Sequence, residues 1–210
     1  MLRILPILLI LLNISTLLAQ QYCESRPSTN SYFSDDVAAM ISEVILNGDN
    51  YNINNSTPED TFQIYESYLG QNADITEGEQ YTISITLDGY ASGQGSGNSK
   101  NNSGAKVYID YNMNGDFNDP GEEIGIVPYR TSSTVGIPEL INFTVPSTGI
   151  YGTTRMRVVC QYTNPAPQNV NDLNFIGPCD APTGLWDQPW FGATHDYTVT
   201  INPLNPYCES

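Results

Sequence analysis

Tyr81-Thr82-Ile83-Ser84-Ile85-Thr86-Leu87 is the stretch that decides the fold class. Apolar and hydroxylated side chains alternate along it, the pattern of a strand with one face in a core and one in water. The same period of two returns in Arg155-Met156-Arg157-Val158, where the two arginines face one way and Met156 and Val158 the other. Working outward, β-branched or alternating runs bounded by Gly, Asn and Pro predict strands at 40–46, 62–69, 81–87, 106–111, 123–127, 140–145, 155–162 and 196–201. No segment carries a helical stripe. Eight short strands at this spacing predict an all-β fold, an antiparallel β-sandwich of jelly-roll or immunoglobulin-like kind.

Two long loops interrupt it. Ala91–Ala105 is a Gly/Ser/Asn stretch, and Asn164–Gly192 is rich in Pro and aromatics. Trp186, Trp190 and Phe191 in the second loop are candidates for a carbohydrate-binding surface. The competing expectation is that they pack the loop onto the sandwich, because aromatics are large sources of buried area.

The chain has 210 residues, with seven Lys and Arg against 23 Asp and Glu, for a formal charge of −16. That balance excludes a phosphate-binding cationic face, and so argues against nucleic acid as a partner. It also argues against docking on anionic lipid, and it leaves room for a divalent cation. Leu2 to Leu18 is mostly Leu and Ile, with Arg3 ahead and Ala19 behind. Its uninterrupted apolar core is short for a membrane span, so residues 1–20 read as an export signal cleaved after Ala19 or Gln20. The expectations are a secreted, extracellular or cell-surface protein, no membrane insertion after cleavage, a single domain over 21–202 and a tail over 203–210. The sequons at Asn54, Asn55, Asn101 and Asn142 would then matter only where the source glycosylates exported chains.

Four cysteines would enter an oxidising compartment: Cys23, Cys160, Cys179 and Cys208. Cys160 ends a strand pattern and Cys179 lies in the following loop, which predicts a Cys160–Cys179 bridge. Cys23 and Cys208 remain, one near each end of the mature chain, to pair within one chain or between chains.

The strongest chemical signal is acidic and punctuated by glycine. Asp110-Tyr111-Asn112-Met113-Asn114-Gly115-Asp116-Phe117-Asn118-Asp119-Pro120-Gly121-Glu122-Glu123 follows directly on a strand. Oxygen-bearing side chains at 110, 112, 114 and 116 alternate, Gly115 permits a sharp turn, and Glu122 can close a shell from the far side. Ca²⁺ takes roughly six to eight hard oxygens, and such a loop supplies them. Asp110, Asn112, Asn114, Asp116 and Glu122 are therefore candidate Ca²⁺ ligands. Glu122 stands one place later than an EF-hand glutamate would and no helices flank the loop, so this is a calcium-type loop between strands. The alternative is an Asx-rich turn in which the side chains cap backbone N–H groups.

Val107–Gly125 (VYIDYNMNGDFNDPGEEIG), Thr154–Tyr162 (TRMRVVCQY) and Gly192–Ile201 (GATHDYTVTI) together resemble the GEVED domain of secreted bacterial proteins, common in Bacteroidota. That family typically carries an I-D-x-N-x-D/N-G-D-F loop ending in G-E, an R-x-R strand and a G-E-V-E-D-Y signature. The opening YCESRPSTNSYF and the run MISEVIL are similar to the family's usual start. The signature is diverged here: Gly192-Ala193-Thr194-His195-Asp196-Tyr197 lacks both glutamates. The resemblance implies an extracellular β-sandwich and leaves Asp196 as a further candidate ligand, or support, for the calcium loop. His195, the only histidine, stands where the family has a glutamate.

Tyr22-Cys23-Glu24-Ser25 is repeated as Tyr207-Cys208-Glu209-Ser210. Three readings stand: the second copy is the stub of a following repeat, an intrachain bridge ties the ends together, or subunits join head to tail into filaments. With one histidine and no GxSxG, HExxH, P-loop or dinucleotide fingerprint, no enzyme activity is expected. Three functions remain: a structural or adhesive calcium-binding module whose partners are itself or other extracellular proteins and glycans, a carbohydrate-binding module, and an accessory domain of a secreted hydrolase.

Overall fold

The computed structural model describes residues 21–25, 39–58, 63–89, 102–131, 133–162, 167–179 and 192–204. The described residues form nine strands and no helix, in two stacked sheets. Chain order gives β1 (Ala39–Asn47), β2 (Asn52–Ser56), β3 (Tyr65–Thr76), β4 (Gln80–Gly89), β5 (Ser103–Ile109), β6 (Glu123–Arg130), β7 (Glu139–Thr144), β8 (Gly152–Tyr162) and β9 (Gly192–Asn202). One sheet runs β2-β1-β4-β7, and the other β3-β9-β8-β5-β6. Every pairing is antiparallel except β3 with β9, which is parallel. The fold is an all-β sandwich, and each of the eight expected strands is present.

Strand alternation builds the core. Ile83, Ile85 and Leu87 of β4 meet Val107, Ile109, Met156, Val158, Tyr197 and Val199 of the opposing sheet, all essentially without solvent contact. Arg155 and Arg157 take the other side of β8, as their spacing requires.

The ninth strand, β2, carries three asparagines in Asn52-Ile-Asn-Asn-Ser56 and escapes propensity reasoning. Its pairing with β1 holds it, and the Asp74 carboxylate fixes the turn before it by accepting the N–H groups of Asn50 (2.8 Å) and Tyr51 (2.7 Å) and the Asn50 amide (2.8 Å). Asn54 and Asn142 of the sequons are exposed, while Asn55 is buried and donates to the Tyr197 hydroxyl at 3.1 Å. Trp186, Trp190, Phe191, Asn101 and the 1–20 segment lie outside the described residues. Among the described residues no helix is long and apolar enough to cross a membrane.

The expected disulfides are corrected. Cys179 bonds Cys23, and Cys160 is a free, fully buried thiol. The reason is which side of the sheet each side chain takes. Cys160 shares the inward face of β8 with Met156 and Val158, where burial pushes its thiol pKa up. Cys179 belongs to the segment that covers the outward face, so the sheet itself stands between the two sulfurs. Nearness in sequence misled here, because residues in a strand choose a face by parity and not by proximity to the next loop. Cys23 is thereby unavailable to the expected Cys23–Cys208 bridge, and Cys208 lies outside the described residues.

Candidate functional site

A second, smaller core sits on the outer face of the five-stranded sheet. Tyr108, Phe117, Val159, Leu173 and Ile176 are its buried members, with Tyr22, Cys23, Ile126 and Phe175 packed against them. The acidic loop between β5 and β6 forms one wall of this outer core, through Phe117, and residues 22–25 lie across it.

The loop turns where the sequence allows. Met113 (φ 58°) and Gly115 (φ 87°) both adopt left-handed backbone, a conformation natural to glycine. Asp110, fully buried, anchors the turn: Oδ1 accepts the Asn114 N–H at 3.1 Å and Oδ2 the Gly115 N–H at 2.9 Å. The Tyr22 hydroxyl also donates to Asp110 Oδ2, at 2.9 Å. Asn112 Oδ1 accepts the same Asn114 N–H (3.0 Å), and the amide groups of Asn112 and Asn114 both donate to Asp119 Oδ2 (2.7 Å each). These shared partners link the side chains of Asp110, Asn112, Asn114 and Asp119 around the loop.

Glu122 folds back onto the start of the loop. Its Oε1 accepts the N–H of Tyr111 at 3.0 Å, while its Oε2 is buried without a hydrogen-bond partner. Burial pushes its pKa up to about 7, helped by the negative charges of Asp110 and Asp119 and opposed by the N–H groups of Asn112 and Tyr111. A buried carboxylate oxygen with no donor, beside two further carboxylates, is the environment a cation relieves.

Not all the expected ligands gather there. Asp116 Oδ1 is taken by its own turn, from the N–H groups of Phe117 (2.7 Å) and Asn118 (3.1 Å) and the Asn118 amide (2.6 Å), and these contacts lower its pKa. It shapes the loop, while Asp119 accepts the amides of Asn112 and Asn114. The alternation template missed Asp119, because that residue enters through the turn and not through the spacing. Among the described residues no three acidic, His or Cys side chains close on one point. The loop's carboxylate and amide oxygens are of the hard kind Ca²⁺ takes, while the amides of Asn112 and Asn114 turn their N–H groups to Asp119.

Asp196 has a different task. Arg157 Nε donates to Asp196 Oδ1 at 2.7 Å and Nη2 to Oδ2 at 2.8 Å, a two-pronged pair with both side chains buried. Arg155 (3.2 Å) and the Tyr65 hydroxyl (2.9 Å) also donate to Oδ2. Both oxygens are thus committed to guanidinium and phenol groups, which corrects the expectation that Asp196 supports the calcium loop. Arg157 Nη1 reaches on to the carbonyls of Pro178 (2.8 Å) and Cys23 (3.0 Å), so one buried guanidinium ties β9, the 167–179 segment and the N-terminal segment together.

His195 points the other way, into the sandwich, and is fully buried. Its Nε2 lies 2.8 Å from Glu66 Oε2, and its Nδ1 lies 3.1 Å from the Tyr197 hydroxyl. Burial alone would raise the Glu66 pKa, but the contacts from His195 and Tyr68 hold it below the usual carboxylate range. A Cβ on Gly192 would fall 1.9 Å from the Cys160 carbonyl oxygen, so the residue that opens this strand has to be glycine.

The loop, the paired arginines and the Asp196-Tyr197 dipeptide all fall within residues 104–200, which match the model of the GEVED domain. This match supports the family resemblance over residues 104–200. The match begins in β5, so β1–β4 lie outside it. No curated protein matches the chain.

Proposed function

We propose that this chain is a secreted extracellular module with a structural or adhesive role, and that a calcium ion stiffens the loop end of its sandwich. The observation that carries the calcium reading is the buried Oε2 of Glu122, without a partner beside Asp110 and Asp119. Asp110, Asn112, Asn114, Asp119 and Glu122 would hold the ion. Its charge would offset their mutual repulsion and fix the wall against which Tyr22 and Phe117 pack. The role is one of rigidity and recognition, not catalysis. The formal charge of −16 and the half-exposed Cys23–Cys179 bridge support an extracellular setting.

Thermal melting of the purified chain with calcium or with chelator tests the ion. A ligand that binds only the folded state stabilises it by about 2.7 kcal/mol at a hundredfold excess over its Kd. The expected result is a higher melting temperature with calcium, lost in Glu122→Gln. An unchanged melting temperature, with no metal by elemental analysis, would overturn the reading.

A further inference from the structure

The two sulfurs of the Cys23–Cys179 bridge sit in different surroundings. Asp196 holds Arg157 through Nε and Nη2, which aims the remaining Nη1 at residue 23. Nη1 donates to the Cys23 carbonyl and stands 3.4 Å from the Cys23 sulfur. The Pro178 carbonyl oxygen lies 3.8 Å from the same sulfur. The Cys23 sulfur is thus crowded, and a buried guanidinium stands beside it. The Cys179 sulfur has a more open neighbour, the amide of Asn118 at 3.8 Å, in an exposed contact.

In thiol–disulfide exchange the sulfur whose thiolate is better stabilised leaves, and a neighbouring cation stabilises a thiolate. Crowding and charge therefore both select Cys179 as the sulfur attacked and Cys23 as the one that departs. Access is provided, because the bridge lines an open cleft of about 770 Å³. The charged side chains lining that cleft are Glu24 and Asp116, beside the amides of Asn114 and Asn118. Two carboxylates, in a chain of formal charge −16, draw in a cation and repel an anion. The N-terminal segment does not depend on the bridge alone. The Tyr22 ring packs on Phe117 (centroids 5.0 Å apart), its hydroxyl reaches Asp110, and the buried Ser25 hydroxyl lies 2.9 Å from that of Thr194. These contacts keep Cys23 next to Cys179 after the bond opens, poised to reverse the exchange.

We propose that the Cys23–Cys179 bridge is an exchange site that captures a thiol on a positively charged carrier, as a mixed disulfide on Cys179. The incoming thiolate attacks the Cys179 sulfur, and the new S–S bond forms as the Cys23–Cys179 bond breaks. The electron pair leaves on Cys23, which takes up the proton that the incoming thiol gave up, so no oxidant or reductant is consumed. Cys160 does not compete, because it is fully buried in the main core. This inference rests on the extracellular reading above, since the bridge must first form, but not on calcium.

The test uses the full-length chain secreted into an oxidising compartment, carrying Cys208→Ser so that the exchange is read at the bridge. It is incubated briefly with cysteamine (cationic), 2-mercaptoethanol (neutral) or 2-mercaptoethanesulfonate (anionic) at equal thiolate concentration. Free thiols are then alkylated and the peptides mapped by mass spectrometry. The expected product carries the adduct on Cys179 and the alkyl group on Cys23. At low salt it forms roughly tenfold faster with cysteamine than with the sulfonate, and the gap closes in about 1 M salt, where the Debye length is about 3 Å. Glu24→Arg, at an exposed position, should narrow or reverse the order. A cysteine peptide flanked by lysines, run beside cysteamine, tells a protein carrier from a small one, and an adduct from either sustains the inference. An adduct on Cys23, an intact bridge that takes no thiol, or rates indifferent to charge at low salt overturns this inference alone. A secreted chain with no Cys23–Cys179 bond overturns the extracellular reading as well.

Discussion

The inner face of the five-stranded sheet buries Val107, Ile109, Met156, Val158 and Val199, whereas the outer face of the same strands carries Tyr108, Arg157, Asp196 and the docked Tyr22–Ser25. Inside, apart from the contacts of His195 and Asn55 around Tyr197, many interchangeable apolar contacts share the burden, each small and non-directional. Outside, a few charged and aromatic groups are held by geometry, and each one removed leaves a partner exposed to the cost of burial without compensation. The contrast teaches that the inner face makes the fold and the outer face attaches segments to it.

The sharpest way to break that contrast is Asp196→Ala, which strands Arg157 in a buried site. Breaking a buried pair by removing one partner costs about 3–5 kcal/mol. Urea denaturation should show that loss, while the double variant Arg157→Met/Asp196→Leu should recover a large part of it. A double variant as unstable as the single one would show that Arg157 matters for its contacts to Pro178 and Cys23 more than for its charge. Next in size is the Cys23–Cys179 bridge: replacing both cysteines by serine should cost about 2–4 kcal/mol in the same measurement.

Asp74, on the edge strand of the same sheet, gives a pH-resolved test. Burial alone would raise its pKa, but the donors from Asn50 and Tyr51 hold it below the usual carboxylate range. The folded state therefore binds its proton more weakly than the unfolded one. Its contribution is present above the ordinary Asp pKa and lost as pH falls through the folded value. Asp74→Asn should cost roughly 1.5–3 kcal/mol at pH 7, and the gap to the wild type should close in acid. The smallest effect belongs to the inner face, where Ile85→Val should cost about 1 kcal/mol, because the neighbours of one lost methylene share the deficit.

The same contrast governs what could be read from the sequence. Alternation located the inner face, since period two is a property of the chain itself. It also placed Arg155 and Arg157 together on the other side. What it could not supply was their partner. Asp196 stands opposite Arg157 only through the register of β8 with β9, and register is a tertiary fact. The acidic loop was legible as a glycine turn rich in carboxylates and amides, but that Asp116 caps its own turn while Asp119 takes the Asn112 and Asn114 amides follows from the folded backbone. The disulfide failed for a related reason: a loop can cross to either side of a sheet, and sequence distance is silent on which. β2 was hidden by its asparagines, one of which, Asn55, is used inside the fold.

The parallel pairing of β3 with β9 also bears on the order of assembly. Within its sheet, β3 has β9 as its sole neighbour, and more than a hundred residues separate the two in sequence. As the chain is synthesised, β3 is made early and must wait until residues 192–202 exist before its edge can close. Native topology that depends on so distant a partner folds slowly. Such a chain keeps the β3 edge unpaired through the synthesis of β4 to β8.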